Sequence, residues 1–173
     1  MITIVSDTHS ETGHELTGRT LEAVQAADLV VHAGDFTTEA ALDAFESESN
    51  RLVAVHGNNA TSGVLDRLPK VRTFEENGIR FALVHRHRSG STGLELLGRE
   101  RDADVVVFGH SHRHLVEDTG EVLLLNPGSH ARPRGGLPTH LELEPREEGF
   151  GGGVRRRDGE LLQEFFVGGV VES

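Results

Sequence analysis

Five short apolar runs recur along this chain, and each ends in aspartate, asparagine or histidine. Ile2–Val5 leads into Ser6-Asp7-Thr8-His9. Leu29–His32 leads into Ala33-Gly34-Asp35, and Leu52–Val55 into His56-Gly57-Asn58-Asn59. Ile79–His85 ends on its own histidine, and Val105–Phe108 leads into Gly109-His110-Ser111-His112. Runs this short, apolar and rich in β-branched residues read as buried strands. Leu16–Ala27 lies between the first two and carries apolar residues at helical spacing, with Thr20 as its expected N-cap. Glu39–Glu48 lies between the next two and reads as a second helix. Alternating strands and helices imply a parallel or mixed sheet with helices on its faces.

The rhythm changes after Pro69. Asn77-Gly78 sits between two strand-like segments, Val71–Glu75 and Ile79–His85, and is the strongest hairpin signal in the chain. Leu94–Glu100 reads as a helix. Thr119-Gly120 marks a second hairpin between His114–Asp118 and Glu121–Leu125. Asn126-Pro127-Gly128-Ser129 reads as a turn. His140–Leu143 and Leu161–Val167 are expected to pair as late strands. Between them Arg146–Gly159, with three consecutive glycines and three consecutive arginines, reads as a mobile loop or loose hairpin. No repeat or linker divides residues 1–173, so one domain is expected, long enough to bury its own core.

Composition excludes several classes of protein. The chain has 173 residues and no cysteine, which removes disulfides, thiolate metal sites and a cysteine nucleophile. It has no tryptophan or tyrosine and eight phenylalanines, too few for a base-stacking surface. No apolar run approaches a membrane span, and the first residues carry no basic, signal-like segment, so a cytoplasmic chain without a membrane partner is expected. Seventeen basic residues face 28 acidic ones, for a net charge of −11. Only Lys70 among the basic residues is lysine. Acid-rich, nearly lysine-free composition suits a salt-rich cytosol, where screening shortens carboxylate repulsion. A halophilic protein is the expectation, and a GC-rich genome is the alternative source of the arginine bias. The net charge also argues against nucleic acid as a partner, the Arg155-Arg156-Arg157 run being read as solvated loop.

The polar residues at the strand ends carry the chemistry. Ligands bind beyond the carboxyl ends of strands in open α/β sheets. Five such ends would gather two aspartates, one asparagine and four histidines in one place. A lone Asp-x-His pair is weak, and His32, within its apolar run, reads as a core histidine. Gly109-His110-Ser111-His112 is stronger, because alternate residues of an extended segment point the same way. Imidazole and carboxylate without thiolate suits manganese, iron, cobalt, nickel or zinc. Seven candidate ligands exceed one ion's needs and fit two ions sharing a carboxylate.

In this order, Asp7-Thr8-His9, Gly34-Asp35, Gly57-Asn58-Asn59, His85 and Gly109-His110-Ser111-His112 resemble the motifs of calcineurin-like metallophosphoesterases. Asn126-Pro127-Gly128-Ser129 followed by Pro133-Arg134 is similar to the small, YfcE-like prokaryotic phosphodiesterase branch. The resemblance runs from Met1 to about Leu143. It implies an α/β four-layer sandwich, two mixed β-sheets packed face to face and flanked by helices. It implies Asp7, His9, Asp35 and His112 as ligands of one metal, and Asp35, Asn58, His85 and His110 as ligands of a second. A bridging hydroxide would then attack the phosphorus of a small phosphodiester. Two divalent ions are implied, Mn²⁺ foremost, with Ni²⁺, Fe²⁺, Co²⁺ or Zn²⁺ as alternatives. The resemblance also admits a homo-oligomer.

The chain departs from the pattern twice. Larger relatives carry histidine where Asn59 stands, and the small branch keeps an acidic residue where Ala60 stands. Neither Asn59 nor Ala60 can deliver a proton, so dependence on a good leaving group is expected. The usual His-Gly-His is here His85-Arg86-His87. Arg86 is a candidate phosphate donor and His87 a candidate proton donor, each weighed against a plain surface position. The competing functional reading is a scaffold on the same fold, with the retromer subunit as precedent. Retention of all seven candidate ligands favours the enzyme.

Overall fold

The computed structural model describes residues 1–168; the expectation that one domain extends to residue 173 reaches past them. Fifteen elements follow in chain order: β1 (Ile2–Val5), α1 (Gly18–Ala26), β2 (Leu29–His32), α2 (Glu39–Glu48), β3 (Leu52–Ala54), α3 (Ser62–Arg67), β4 (Val71–Glu76), β5 (Ile79–Val84), α4 (Gly90–Glu100), β6 (Val105–Val107), β7 (His114–Asp118), β8 (Leu123–Pro127), β9 (Thr139–Pro145), β10 (Phe150–Arg156) and β11 (Leu161–Val167). They build two mixed sheets, ordered β11-β10-β9-β1-β2-β3 and β4-β5-β6-β8-β7. β1, β2 and β3 run parallel in the first. β5, β6 and β8 run parallel in the second.

Strand alternation sorts the apolar residues into layers. Ile2, Ile4, Leu29 and Val31 from the first sheet meet Phe81, Leu83, Val105, Val107 and Leu125 from the second in the central core. The next residues along the same strands, Val5 and Val30, turn the other way against Val24, Leu42, Phe45 and Val64 of α1, α2 and α3. Ala82, Val84, Val106 and Leu124 turn outward in the second sheet and pack on Leu94 and Leu97 of α4. The result is helix, sheet, sheet, helix. β1, β2, β5 and β6 are mostly apolar because both of their faces are covered, the exceptions being buried Thr3 and His32 and exposed Arg80.

Several expectations hold to the residue. α2 spans Glu39–Glu48, and Thr38 Oγ1 caps it by accepting from Ala41 N–H at 3.2 Å. Asn77 and Gly78 join β4 to β5 with φ of 50° and 74°, the left-handed pair that a two-residue hairpin requires. His32 is fully buried in the core.

Other expectations are corrected. Arg146–Gly159 is not a mobile loop: Phe150–Arg156 forms β10, paired antiparallel to β9 on one side and β11 on the other. β9 and β11 therefore do not pair with each other. A glycine run is a poor strand by itself, but here Phe165 lies against Gly152 and leaves no room for a Cβ there. The ring supplies the packing that glycine lacks. The three arginines are engaged with the protein: Arg155 with Glu142, Arg156 with Glu160 and Arg157 with the His130 carbonyl. Asn126 and Pro127 belong to β8, and the chain turns only at Gly128, with φ of 74°. Helix α1 begins at Gly18, so Thr20 is not its cap; the Thr20 hydroxyl is buried against His140 Nδ1 at 3.0 Å. Helix α3, six residues long, is too short to show an apolar periodicity in the sequence.

Candidate metal centre

The ligand candidates hang from the carboxyl ends of five strands, three in one sheet and two in the other. Asp7 and His9 follow β1, Asp35 follows β2 and Asn58 follows β3. His85 follows β5, and His110 and His112 follow β6. The site therefore lies where two sheets meet at one end of the sandwich, rather than along the edge of one open sheet. Backbone bonds tie these loops together. Asp7 N–H donates to Gly34 O at 2.9 Å, His9 N–H to Asp35 O at 3.2 Å and Gly109 N–H to His85 O at 2.9 Å. Gly109 passes so close to Ser6 and Asp7 that no side chain fits between them.

The local backbone is strained. Asp7, His9, Asp35, His110 and His112 all have positive φ, between 47° and 73°. Residues with a Cβ rarely adopt this region, and each such placement costs on the order of 1 kcal/mol or more. Five candidate ligands held this way mark a site whose geometry serves something other than stability.

Asp7 is fully buried. Its Oδ2 accepts from the Ser6 hydroxyl at 2.8 Å and from His110 N–H at 2.9 Å. Among the described residues its Oδ1 has no hydrogen-bond partner. Around that oxygen stand His112 Nε2 at 3.3 Å, His85 Nε2 at 3.8 Å and His9 Nε2 at 3.9 Å. A buried carboxylate oxygen without a partner is costly, and this one faces three ring nitrogens.

Two of those rings are locked by their far sides. His85 Nδ1 lies 2.8 Å from Ala33 O, and His112 Nδ1 lies 2.6 Å from Arg132 O. A carbonyl only accepts, so each Nδ1 carries the proton and each Nε2 turns a lone pair inward. This is the arrangement of metal-bound imidazole. Burial lowers the pKa of His9 most of all, against the pull of Asp35, and so favours its neutral, ligating form. Burial also lowers that of His110. Desolvation opposes ionisation of Asp35, but His85 and the Asn59 hydrogen bonds outweigh it, and its pKa falls below the ordinary value.

One ligand atom each from Asp7, His9, Asp35 and His112 lies within 4.8 Å of every other. His9 Nε2 stands 3.1 Å from His112 Nε2 and 3.4 Å from Asp35 Oδ2. With metal–ligand bonds near 2.1 Å, neighbouring ligand atoms are roughly 3.0–3.4 Å apart, so these spacings fit one cation. Beside this group, Asn58 Oδ1 lies 2.9 Å from His85 Nε2 and 3.3 Å from His110 Nδ1. His85 Nε2 lies 3.6 Å from Asp35 Oδ2. Asp35 stands between the two groups.

Some functional contacts were not legible in the sequence. Asn59, expected only as an absent acid, donates to Asp35 twice, from its backbone N–H to Oδ1 at 3.1 Å and from Nδ2 to Oδ2 at 3.2 Å. Ser129 Oγ donates to Asp7 O at 2.8 Å. The role of Asn126, by contrast, is expected from its place before Pro127-Gly128: its Nδ2 donates to Gly109 O and to Ser111 Oγ, both at 3.1 Å, and so holds the histidine loop from beneath. Arg86 and His87 are exposed and belong to neither ligand group. Both line a cleft of about 420 Å³ that Asn58 and His85 also line. His87 Nδ1 accepts from Ser89 N–H at 3.1 Å, so the proton of the neutral ring sits on Nε2.

The fold is thus a two-sheet α/β sandwich with a metal-binding type of imidazole–carboxylate cluster at its strand ends. The family model of the calcineurin-like phosphoesterase superfamily domain matches residues 1–147, and the chain belongs to that family. A probable metallophosphoesterase of Methanocaldococcus jannaschii is 32% identical over 155 residues, 86% of this chain and 77% of that one. The phosphodiesterase YfcE of Escherichia coli is 32% identical over 95 residues, 52% of this chain and 50% of that one. Among solved structures, a zinc complex of Vps29 from Entamoeba histolytica superposes with a TM-score of 0.78 at 18% identity. That match covers 96% of this chain and 98% of that one, and it shows the shared fold.

Proposed function

We propose that this chain is a metal-dependent phosphodiesterase that hydrolyses small phosphodiesters with two divalent cations, Mn²⁺ foremost. The observation that supports it is the buried, unpartnered Asp7 Oδ1 facing imidazoles whose lone pairs are fixed inward. Asp7, His9, Asp35 and His112 would hold one cation, and Asp35, Asn58, His85 and His110 the other. Bound there, divalent cations make water more acidic and neutralise charge on phosphoryl oxygens.

The remaining roles belong to protein groups. Asn58 turns its amide oxygen toward His85 and His110, which leaves its NH₂ as a donor for a phosphoryl oxygen. Arg86 offers a forked donor to the same phosphate. Hydrolysis bonds a water oxygen to phosphorus and releases the leaving oxygen, which needs a proton. His87 Nε2–H, in the same cleft, would donate a hydrogen bond to that oxygen, with solvent as the source of its proton. Asn59 is a positioning residue for Asp35.

The test is hydrolysis of bis(p-nitrophenyl) phosphate in molar KCl, with Mn²⁺ and then with EDTA, beside Asn58→Ala and His110→Ala. Activity that requires Mn²⁺ and is lost in both variants supports the reading. A folded, Mn²⁺-binding wild type without activity would transfer the chain to the scaffold reading.

A further inference from the structure

The cleft beside Asn58 and His85 is charged against the character of the molecule. The chain carries 28 acidic residues and 17 basic ones. Yet the cleft is lined by Lys70, Arg86 and Arg88, and by no carboxylate among the described residues. All three cations are exposed. Lys70, the one lysine of the sequence, is set there by the preceding residue: Pro69 O accepts from His56 N–H at 3.1 Å at the end of β3. Arg86 and Arg88 follow His85 directly. Val71, half-buried, adds apolar surface to the lining, behind which Val84 and Leu97 are buried.

A simple phosphodiester carries one negative charge. Asn58 and the cation cradle already answer it, and Arg86 is a further donor to the same group. Arg88 and Lys70 then have no counterpart in such a substrate. A cleft of about 420 Å³ is the size of a small-molecule site rather than a polymer track. Arginine favours phosphate because its planar fork matches two phosphate oxygens.

Resting on the phosphodiesterase reading above, we infer that the natural substrate carries a second phosphate beyond the scissile diester. An apolar or planar moiety joins the two and lies on Val71. Arg88 and Lys70 hold the second phosphate and determine specificity. They act in binding and take no part in bond cleavage.

The test is a matched pair of esters, thymidine 5′-(p-nitrophenyl phosphate) with and without a 3′-phosphate. Both release p-nitrophenolate from the same kind of bond. The wild type is expected to favour the 3′-phosphorylated ester in kcat/KM by about tenfold, the worth of one charged hydrogen bond at an exposed site. Arg88→Ala and Lys70→Ala each lower that ratio, and the double variant brings it near one. A wild-type ratio near one, or a ratio unmoved in the double variant, overturns the inference and leaves the hydrolase reading intact. Faster cleavage of a thymidylate dodecamer than of either ester overturns the small-molecule assignment.

A binding arm in EDTA separates the two readings. Calorimetry compares thymidine 3′,5′-bisphosphate with thymidine 5′-monophosphate on wild type and on the double variant. If neither ester is hydrolysed but the bisphosphate binds more tightly, and only to wild type, the cleft assignment stands and the hydrolase reading falls. If the two nucleotides bind alike to both proteins, the cleft assignment falls.

Discussion

Replacing Asn59 with alanine isolates a contact that the sequence suggested was merely a missing acid. The side chain donates to Asp35 Oδ2 at 3.2 Å, while its backbone N–H donates to Oδ1 at 3.1 Å. Alanine removes the first bond and keeps the second, so Asp35 stays in place but is held less firmly. A hydrogen bond to a charged group contributes about 1.5–3 kcal/mol. This one is at the long end of the normal range and its donor is exposed, so the lower figure applies. About 1.5 kcal/mol is roughly a tenfold loss of affinity for any cation that Asp35 holds. That falls at the weak end of the 10–100-fold range measured for outer partners of metal ligands, as a single long bond should. Mn²⁺ calorimetry on wild type and Asn59→Ala reads the loss. Melting curves in EDTA should nearly coincide, because an exposed side chain contributes little to the fold. Unchanged Mn²⁺ affinity refutes the positioning role. A fall in kcat with unchanged Mn²⁺ affinity would place Asn59 on the substrate instead.

Three further outcomes rest on other contacts and on the charge of the molecule. Asp7→Asn should raise the melting temperature of the metal-free protein, because its NH₂ can donate toward His112 Nε2 where Oδ1 now has no partner; it should also abolish stabilisation by added Mn²⁺, and a lowered metal-free melting temperature would contradict this account. Glu142, buried on β9, accepts Arg19 through both oxygens at 2.8 and 2.7 Å and contacts His140 Nε2 at 2.8 Å. Burial opposes its ionisation, but His140 and Arg19 together bring its pKa from 4.5 down to about 2. Its folded pKa is depressed, so the stability it confers is full above about pH 4.5 and fades as pH falls toward 2. The shift corresponds to about 3 kcal/mol, so urea titrations should find Glu142→Gln less stable at pH 7 and less acid-sensitive between pH 5 and 2; parallel curves would remove Glu142 from that role. Finally, the net charge of −11 predicts a melting temperature that climbs steeply between dilute buffer and molar KCl, whereas a flat profile would assign the arginine bias to genome composition.

The sequence specifies whatever depends on neighbours along the chain. Strands β1, β2, β5 and β6 are legible because strands covered on both faces are predominantly apolar. The β4–β5 hairpin is legible because Asn-Gly accepts two positive φ values. The candidate ligands are legible because histidine, aspartate and asparagine interrupt those apolar runs at their carboxyl ends. What depends on distant neighbours is decided by the tertiary structure. The glycines of β10 become a strand only between β9 and β11, with Phe165 covering Gly152. Pro127 stays in β8 because β7 pairs alongside it. The bond from Asn59 to Asp35 spans 24 residues, and that from Arg19 to Glu142 spans 123. No local preference encodes such contacts. They form because parallel strands of two packed sheets deliver their loops to the same end of the sandwich, where burial leaves each polar atom only the partners that the fold has brought to it.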